Sequence, residues 1–264
     1  METARPFGDQ LREWRQRRHL SQLALATDVS ISARHLSFVE TGRSLPSRAM
    51  VLRLVERLSV PLRERNTLLT AAGFAPLYAV RPLSDPELVT ARTAVDSILK
   101  GHEPYPAVLV DRYWNLVAAN GAASVLMAGI DACLRTPPVN VLRVSLHPGG
   151  LAARIENLTQ WRAHVLARLR RDLDLTGDPK LAELMQELRS YPGHGGSEDD
   201  AEAVVRELVV PLRLRTAAGV LSLFSTTTVF GTAVEVTLSE LVLEAFYPAD
   251  EITGELLKRA AAAG

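Results

Sequence analysis

The chain is 264 residues long, 47% hydrophobic and 23% charged, and its 30 basic and 30 acidic side chains cancel to a formal charge of zero. That composition is globular, and the length gives room for one large domain or two ordinary ones. A single cysteine, Cys133, excludes an intramolecular disulfide and fits a reducing cytoplasm, METARPFGDQ has no apolar signal core, and no apolar run is long enough to span a bilayer.

The charge is unevenly spread. Residues 1–75 hold 12 Arg and no Lys against 7 Asp and Glu, a net +5, and the remainder holds 18 basic against 23 acidic groups, a net −5. A basic module joined to an acidic one suits a DNA-binding head on a body that avoids phosphate. In chain order, Phe7, Leu11 and Trp14 recur at spacings of four and three and predict an amphipathic first helix. The segment LSQLALATDVSISARHLSFVETG, Leu20 to Gly42, reads as a helix-turn-helix. Ser21 is an N-cap, Leu23, Ala26 and Val29 are expected to face inward, and the small Ala24 and Ala26 allow two helices to approach closely. Ser30 and Ile31 form a turn, Ser32 caps a second helix from Ala33 to Thr41 with Leu36 and Val39 on its inner face, and Gly42 ends it. Such a pair of helices places the second in the major groove of DNA. Ser47 caps a fourth helix with Val51, Leu52, Leu54, Val55 and Leu58 on its buried face; after Pro61 a fifth runs from Leu62 to Ala72 and stops at Gly73.

FAPLYAVRPLSDP breaks helical periodicity and reads as a connector. Ser84 then caps a helix over residues 85–100, with Leu88, Ala91, Val95, Ile98 and Leu99 inward and Gly101 closing it. This helix is either a lever or dimer contact, or part of a second core. Beyond Pro104 come two strands, Ala107–Val110 and Tyr113–Ala118. Asn120 caps a helix reaching Met127 or Ile130. Helices follow at Leu151–Leu158, Trp161–Leu173 and Pro179–Ser190, then a polar loop, Tyr191–Asp200. Three strands come next, Leu208–Arg215, Val220–Val229 and Ala233–Phe246, and a short helix opens at Pro248. The chain is therefore α+β: an all-α five-helix domain at 1–75, a linker and connecting helix at 76–103, and at 104–264 an antiparallel five-stranded sheet with helices gathered on one face and a cleft between the layers.

Leu20, Ser21, Gln22, Leu25, Ala26, Val29, Ser30, Leu36, Glu40 and Gly42, at unbroken spacing, make residues 7–73 resemble the Xre-type helix-turn-helix domain of bacterial and phage regulators. YPAVLVDRYWNLVAAN, LHPGGLAARIENLTQWRAHVLARLRRD and LEAFYPADE make the whole chain resemble Xre-family transcription regulators with an MmyB-like ligand-binding domain, and the strand and helix order resembles a PAS-like sensor. The resemblance implies double-stranded DNA and a small hydrophobic, fatty-acid-like molecule as partners. It also implies an Arg15–Glu40 ion pair between the first and third helices, and a phosphate- and base-bridging role for Gln22. The recognition helix, SARHLSFVE, departs from the tyrosine-rich helix of many members, so no operator sequence carries over.

On the recognition helix, Ser32, Ala33, Arg34, Ser37 and Phe38 are the candidate DNA contacts. Arg34 suits the O6 and N7 of guanine, with a phosphate contact as the alternative. Ala33 and Phe38 suit a thymine methyl, though Phe38 equally suits helix packing. Arg43 and Arg48 read as phosphate clamps. In the body, Trp114, Leu116, Leu126, Met127, Trp161, Val165, Leu223, Phe224, Phe230 and Phe246 either line a pocket or form plain core, and Arg154, Asn157 and Arg162 either sit at its mouth or on a solvated helix face. The six histidines form no HxxxH or HxH pair, and neither a GxSxG elbow nor a GxxxxGK loop occurs. No metal, cofactor or catalysis is expected. The expected protein is a cytoplasmic homodimer on a palindromic operator, its body either a ligand sensor or a ligand-free scaffold for another protein.

Overall fold

The computed structural model describes residues 5–192, 210–230 and 235–262. They divide into two compact units, one drawn from residues 5–82, 174–176 and 235–239 and the other from the remaining described residues.

The first unit opens with five helices: α1 (Phe7–Arg17), α2 (Gln22–Asp28), α3 (Ala33–Glu40), α4 (Arg48–Arg57) and α5 (Leu62–Ala71). Ser21, Ser32 and Ser47 each accept a hydrogen bond from a backbone N–H three residues on, at 3.0, 3.1 and 3.3 Å. Each satisfies one of the donors that a helix start leaves without an internal partner. Gly42 (φ +70°) and Gly73 (φ +84°) follow α3 and α5 in the left-handed region, where a Cβ is costly. Leu11, Leu25, Leu36, Leu54, Leu58, Leu68 and Leu69 fill the centre. Leu23 was expected inside but is 67% exposed. Leu25 and Ala26 carry the inner face of the short α2 instead, and two helical steps turn Leu23 away from Leu25 to the far side.

Close approach is achieved at Gly8. A Cβ there would lie 2.4 Å from the carbonyl oxygen of Glu40 and 2.7 Å from that of Val39, so α1 rests on the C-terminal carbonyls of α3 with no room for a methyl group. Glycine inside a helix is ordinarily a loss relative to alanine. Here Gly8→Ala is expected to destabilise the first unit by about 1–3 kcal/mol, the range for overpacking a filled core. Urea unfolding followed by helical circular dichroism checks this; an unchanged or higher midpoint would refute the packing argument.

The second unit is a sheet of order β2-β1-β5-β4-β3, all pairs antiparallel: β1 (Ala107–Val110), β2 (Leu116–Ala119), β3 (Leu212–Thr216), β4 (Gly219–Val229) and β5 (Val242–Pro248). Register sets the faces: Val108 opposes Glu244, Ser225 opposes Phe246 and Leu212 opposes Leu223. One face thus carries Val108, Glu244, Phe246, Leu212 and Leu223. The core there also draws on α7 (Ser124–Met127), α8 (Val141–Leu146), α9 (Leu158–Thr176) and α10 (Pro179–Ser190). The opposite face is covered too, against the expectation of helices on one side only. Ala107, Leu109, Leu243 and Ala245 are buried on it. At the end of α6 (Val89–Gly101), His102 packs edge-on against Tyr247 at 4.8 Å and meets the carbonyl oxygen of Phe246 at 2.8 Å.

Several element boundaries differ from expectation, each for a local reason. Asp85, not Ser84, opens the connecting segment: its carboxylate accepts from the Glu87 N–H, capping a 3-10 turn before α6. Leu88, Val95 and Leu99 form a narrow buried stripe there, which leaves Ile98 43% exposed. Gly101 remains helical, and His102 ends α6. β2 starts at Leu116 rather than Tyr113, because the Asp111 carboxylate accepts from the N–H groups of Tyr113 and Asn115 and folds the preceding residues into a turn. The helix after Asn120 is a 3-10 turn continued by the short α7, and Leu151–Leu158 holds only a 3-10 turn at Ala152–Arg154. α8 was not foreseen, although Asn140 caps it by accepting from the N–H groups of Leu142 and Arg143. Part of the expected Leu208–Arg215 strand, with Leu208, and most of the polar loop lie outside the described residues. So do Ala233 and Val234 at the start of the last expected strand. From Val236 to Ser239 that segment is helical (α11), with Glu235 accepting from the Leu238 N–H and from the Arg81 N–H. The final helix, α12 (Glu251–Ala262), is longer than foreseen. No described helix is long and apolar enough to cross a membrane.

Candidate DNA-reading surface and ligand cavity

Glu40, only 2% exposed, organises the reading head. Arg15 grips its carboxylate with Nε at 2.6 Å and Nη2 at 3.0 Å, and Arg15 Nη1 donates to the Leu20 carbonyl at 2.8 Å. Gln22 Nε2 donates to the same carboxylate at 2.7 Å. Burial pushes the Glu40 carboxyl up, but the hydrogen bonds from Arg15 and Gln22 and the charges of Arg15 and Arg12 outweigh it and hold the group below the ordinary carboxylate range. The ion pair thus ties α1 to α3 and orients the start of α2. The amide of Gln22 is engaged by protein here.

The other reading candidates lie on α3 and just beyond it. Arg34 is exposed, and its guanidinium sits 5.3 Å from the Phe38 ring one turn later. Phe38 and Ser37 are half-buried, while Ala33 lies at the start of the helix, packed against the edge of the core. The Ser32 hydroxyl is committed to the cap. Arg43 and Arg48 are exposed on either side of the Ser47 cap. Arg43 is positioned by its own N–H, which donates to the Phe38 carbonyl at 2.8 Å. Sequence reasoning missed that Leu23 and Leu45, 67% and 86% exposed, are apolar surface in this head.

The second unit encloses a cavity of ≈ 90 Å³ between the sheet and α7, α8 and α9. Of the ligand residues expected from the sequence, Trp114, Leu116, Leu126, Met127, Trp161, Val165 and Phe246 line it together, joined by Val108, Leu142 and Leu212. Six others lie elsewhere, Leu223 among them in the core on the same sheet face. Phe224 is on the opposite face of β4 from Leu223 and stacks on Tyr247 at 5.4 Å, because a strand turns successive side chains to opposite sides. Phe230 is the half-buried residue after β4, away from the cavity wall. Asn157 stitches α9 to the β3 edge, donating to the Pro211 carbonyl at 2.8 Å and accepting from the Arg213 N–H at 3.1 Å. Arg154 does not line the cavity either. Arg162, also near Trp161 in sequence, instead donates to the carbonyls of Leu188, Arg189 and Tyr191 at the end of α10.

Four polar residues that sequence reasoning missed share the lining, Ser145, His164, Arg168 and Glu244, and three of them form a cluster: His164 and Arg168 stand one turn apart on α9, and Arg168 pairs with Glu244. Arg168 and Glu244 are 76 positions apart, and only the α9-on-β5 packing brings them to 2.7 Å. Arg168 also donates to Thr227 at 2.7 Å and stacks 4.5 Å from the Trp114 ring. Trp114 adopts φ +66°, a costly conformation for a bulky residue. Its indole N–H donates to Asp172 at 3.1 Å, so α9 supports this strained residue through both Asp172 and Arg168. Trp161 donates to Ser145 at 2.8 Å and stacks on His164 at 5.5 Å.

A basic five-helix head with an exposed recognition helix, followed by an α+β unit that encloses an apolar cavity, defines a DNA-binding transcription regulator with a ligand-binding domain. Residues 6–68 match the helix-turn-helix domain family. Residues 91–260 match the MmyB-like transcription regulator ligand binding domain, and the chain belongs to that family. A comparison with curated proteins finds no match.

Proposed function

We propose that this protein is a cytoplasmic, homodimeric regulator of the Xre type whose PAS-like body binds a small, apolar, fatty-acid-like molecule and thereby changes its grip on a palindromic operator. The observation that carries the reading is the cavity, lined mostly by apolar side chains with a polar cluster of His164, Arg168 and Glu244 in its wall. A ligand acts on DNA binding only through a difference in affinity between the conformations it meets. The proposed protein is a binding protein and not an enzyme. Native mass spectrometry of gently purified protein tests it. A dimer carrying a discrete extra mass that leaves on mild activation supports a sensor; a bare chain that no small molecule loads favours the scaffold reading instead.

In the same proposal Arg34 reads a base and Arg43 holds a phosphate. Arg34→Ala is expected to weaken operator binding by about 1–3 kcal/mol more than binding to random DNA. Arg43→Ala is expected to weaken both alike and to lower the slope of affinity against salt by about one. Fluorescence anisotropy over a salt series separates the two; equal losses with Arg34→Ala would make Arg34 a phosphate contact.

A further inference from the structure

The polar cluster in the cavity wall constrains the head group of its occupant. Among the described residues, Arg168 is the only lysine or arginine in the cavity wall, and it is already taken: Glu244 neutralises it at 2.7 Å, Thr227 holds its other Nη, and the Trp114 ring covers it. Glu244 is 7% exposed. A carboxylate entering here would place a second anion beside a buried one, with a single guanidinium to serve both and little water to screen them. Two polar groups remain: the Ser145 hydroxyl, which accepts from the Trp161 indole N–H at 2.8 Å and keeps its own O–H to donate, and His164. His164 makes no side-chain hydrogen bond among the described residues, while its ring faces the cavity and stacks on Trp161. Burial and the nearby charge of Arg168, with a further contribution from Arg171, hold its pKa below the ordinary imidazole range against the opposing pull of Glu244. A neutral imidazole offers one donor and one acceptor.

Resting on the ligand-sensor reading above, we infer that the cavity selects a neutral, apolar molecule with one hydrogen-bonding head, such as a hydroxyl or carbonyl that meets His164, and discriminates against the matching carboxylate. The cavity's ≈ 90 Å³ is several times the roughly 10–15 Å³ needed to admit a single water, so it has room for more than a solvent molecule. The occupant is then fatty-acid-like in its chain and neutral in its head.

Calorimetric titration of the full chain at pH 7 with 1-octanol, octanoate and octylamine tests this. The expected result is saturable binding of 1-octanol, at least tenfold tighter than octanoate or octylamine. His164→Leu should weaken 1-octanol about fivefold, the loss of one hydrogen bond. Glu244→Gln removes the anion and leaves the Arg168 charge, so octanoate should then equal or overtake 1-octanol. If octanoate binds the unaltered protein as tightly as 1-octanol or more so, the head-group inference is overturned and the ligand cavity stands. If none of the three binds, the cavity is not a ligand site and both readings fall. The ranking on the unaltered protein decides the matter even if Glu244→Gln does not fold.

Discussion

Glu40→Ala is expected to destabilise the helix-turn-helix head by about 3–5 kcal/mol, the cost of leaving one partner of a buried ion pair behind. Its removal strands the Arg15 guanidinium beside a core of leucines and frees Gln22 at the start of α2. For a unit of this size the midpoint of thermal unfolding should fall by more than ~12 °C. The pH dependence follows from the direction of the shift. The folded state holds the Glu40 carboxyl below its ordinary value, so its contribution is fully present above the ordinary carboxylate range and is lost as pH falls through the lower, folded value. The unaltered protein should therefore lose head stability on acidification more steeply than Glu40→Ala. Differential scanning calorimetry between neutral pH and about pH 3 measures both effects. A midpoint within ~2 °C of the unaltered protein would mean the pair is worth no more than a surface one.

Trp161→Ala should cost the second unit about 3–5 kcal/mol, the usual range for truncating a buried tryptophan. Trp161 is 5% exposed, stacks on His164 and gives its indole N–H to Ser145. The variant removes the ring from the cavity wall and leaves the Ser145 hydroxyl without that donor. Trp161→Phe keeps most of the apolar volume and should lose about 1–3 kcal/mol, the share of the unmade hydrogen bond. Urea unfolding monitored by near-ultraviolet circular dichroism distinguishes the two. Equal losses in both variants would place the stability in the hydrogen bond rather than in the ring.

Much of the head was legible because its signals are local. Serines before apolar runs, glycines after them and leucines at helical spacing each act within one or two turns, and Ser21, Ser32, Ser47, Gly42 and Gly73 stand where those rules place them. Gly8 was not legible, since its reason is the carbonyls of α3 across the bundle. Leu23 misled because a seven-residue helix has too few turns to define a face.

In the body, alternation and composition indicated five strands and a layer of helices, and they brought Trp114, Trp161, Val165 and Phe246 into consideration together. They did not sort the two faces of β4. Leu223 and Phe224 are neighbours in sequence and both apolar, and register alone sends the leucine into the core and the phenylalanine onto Tyr247.

The helix-turn-helix, most of the order of elements and the apolar character of the second unit can be read from the chain alone, because propensity, capping and hydrophobic period act over short spans. The polar groups that reach the cavity cannot, because long-range packing chooses them. Arg168, within ARLRRD, reads as a solvated helix charge, and nothing local to Glu244 marks it for burial. The antiparallel pairing of β5 with its neighbours and the seating of α9 turn both side chains into the same apolar space, where each is tolerable only because the other is there.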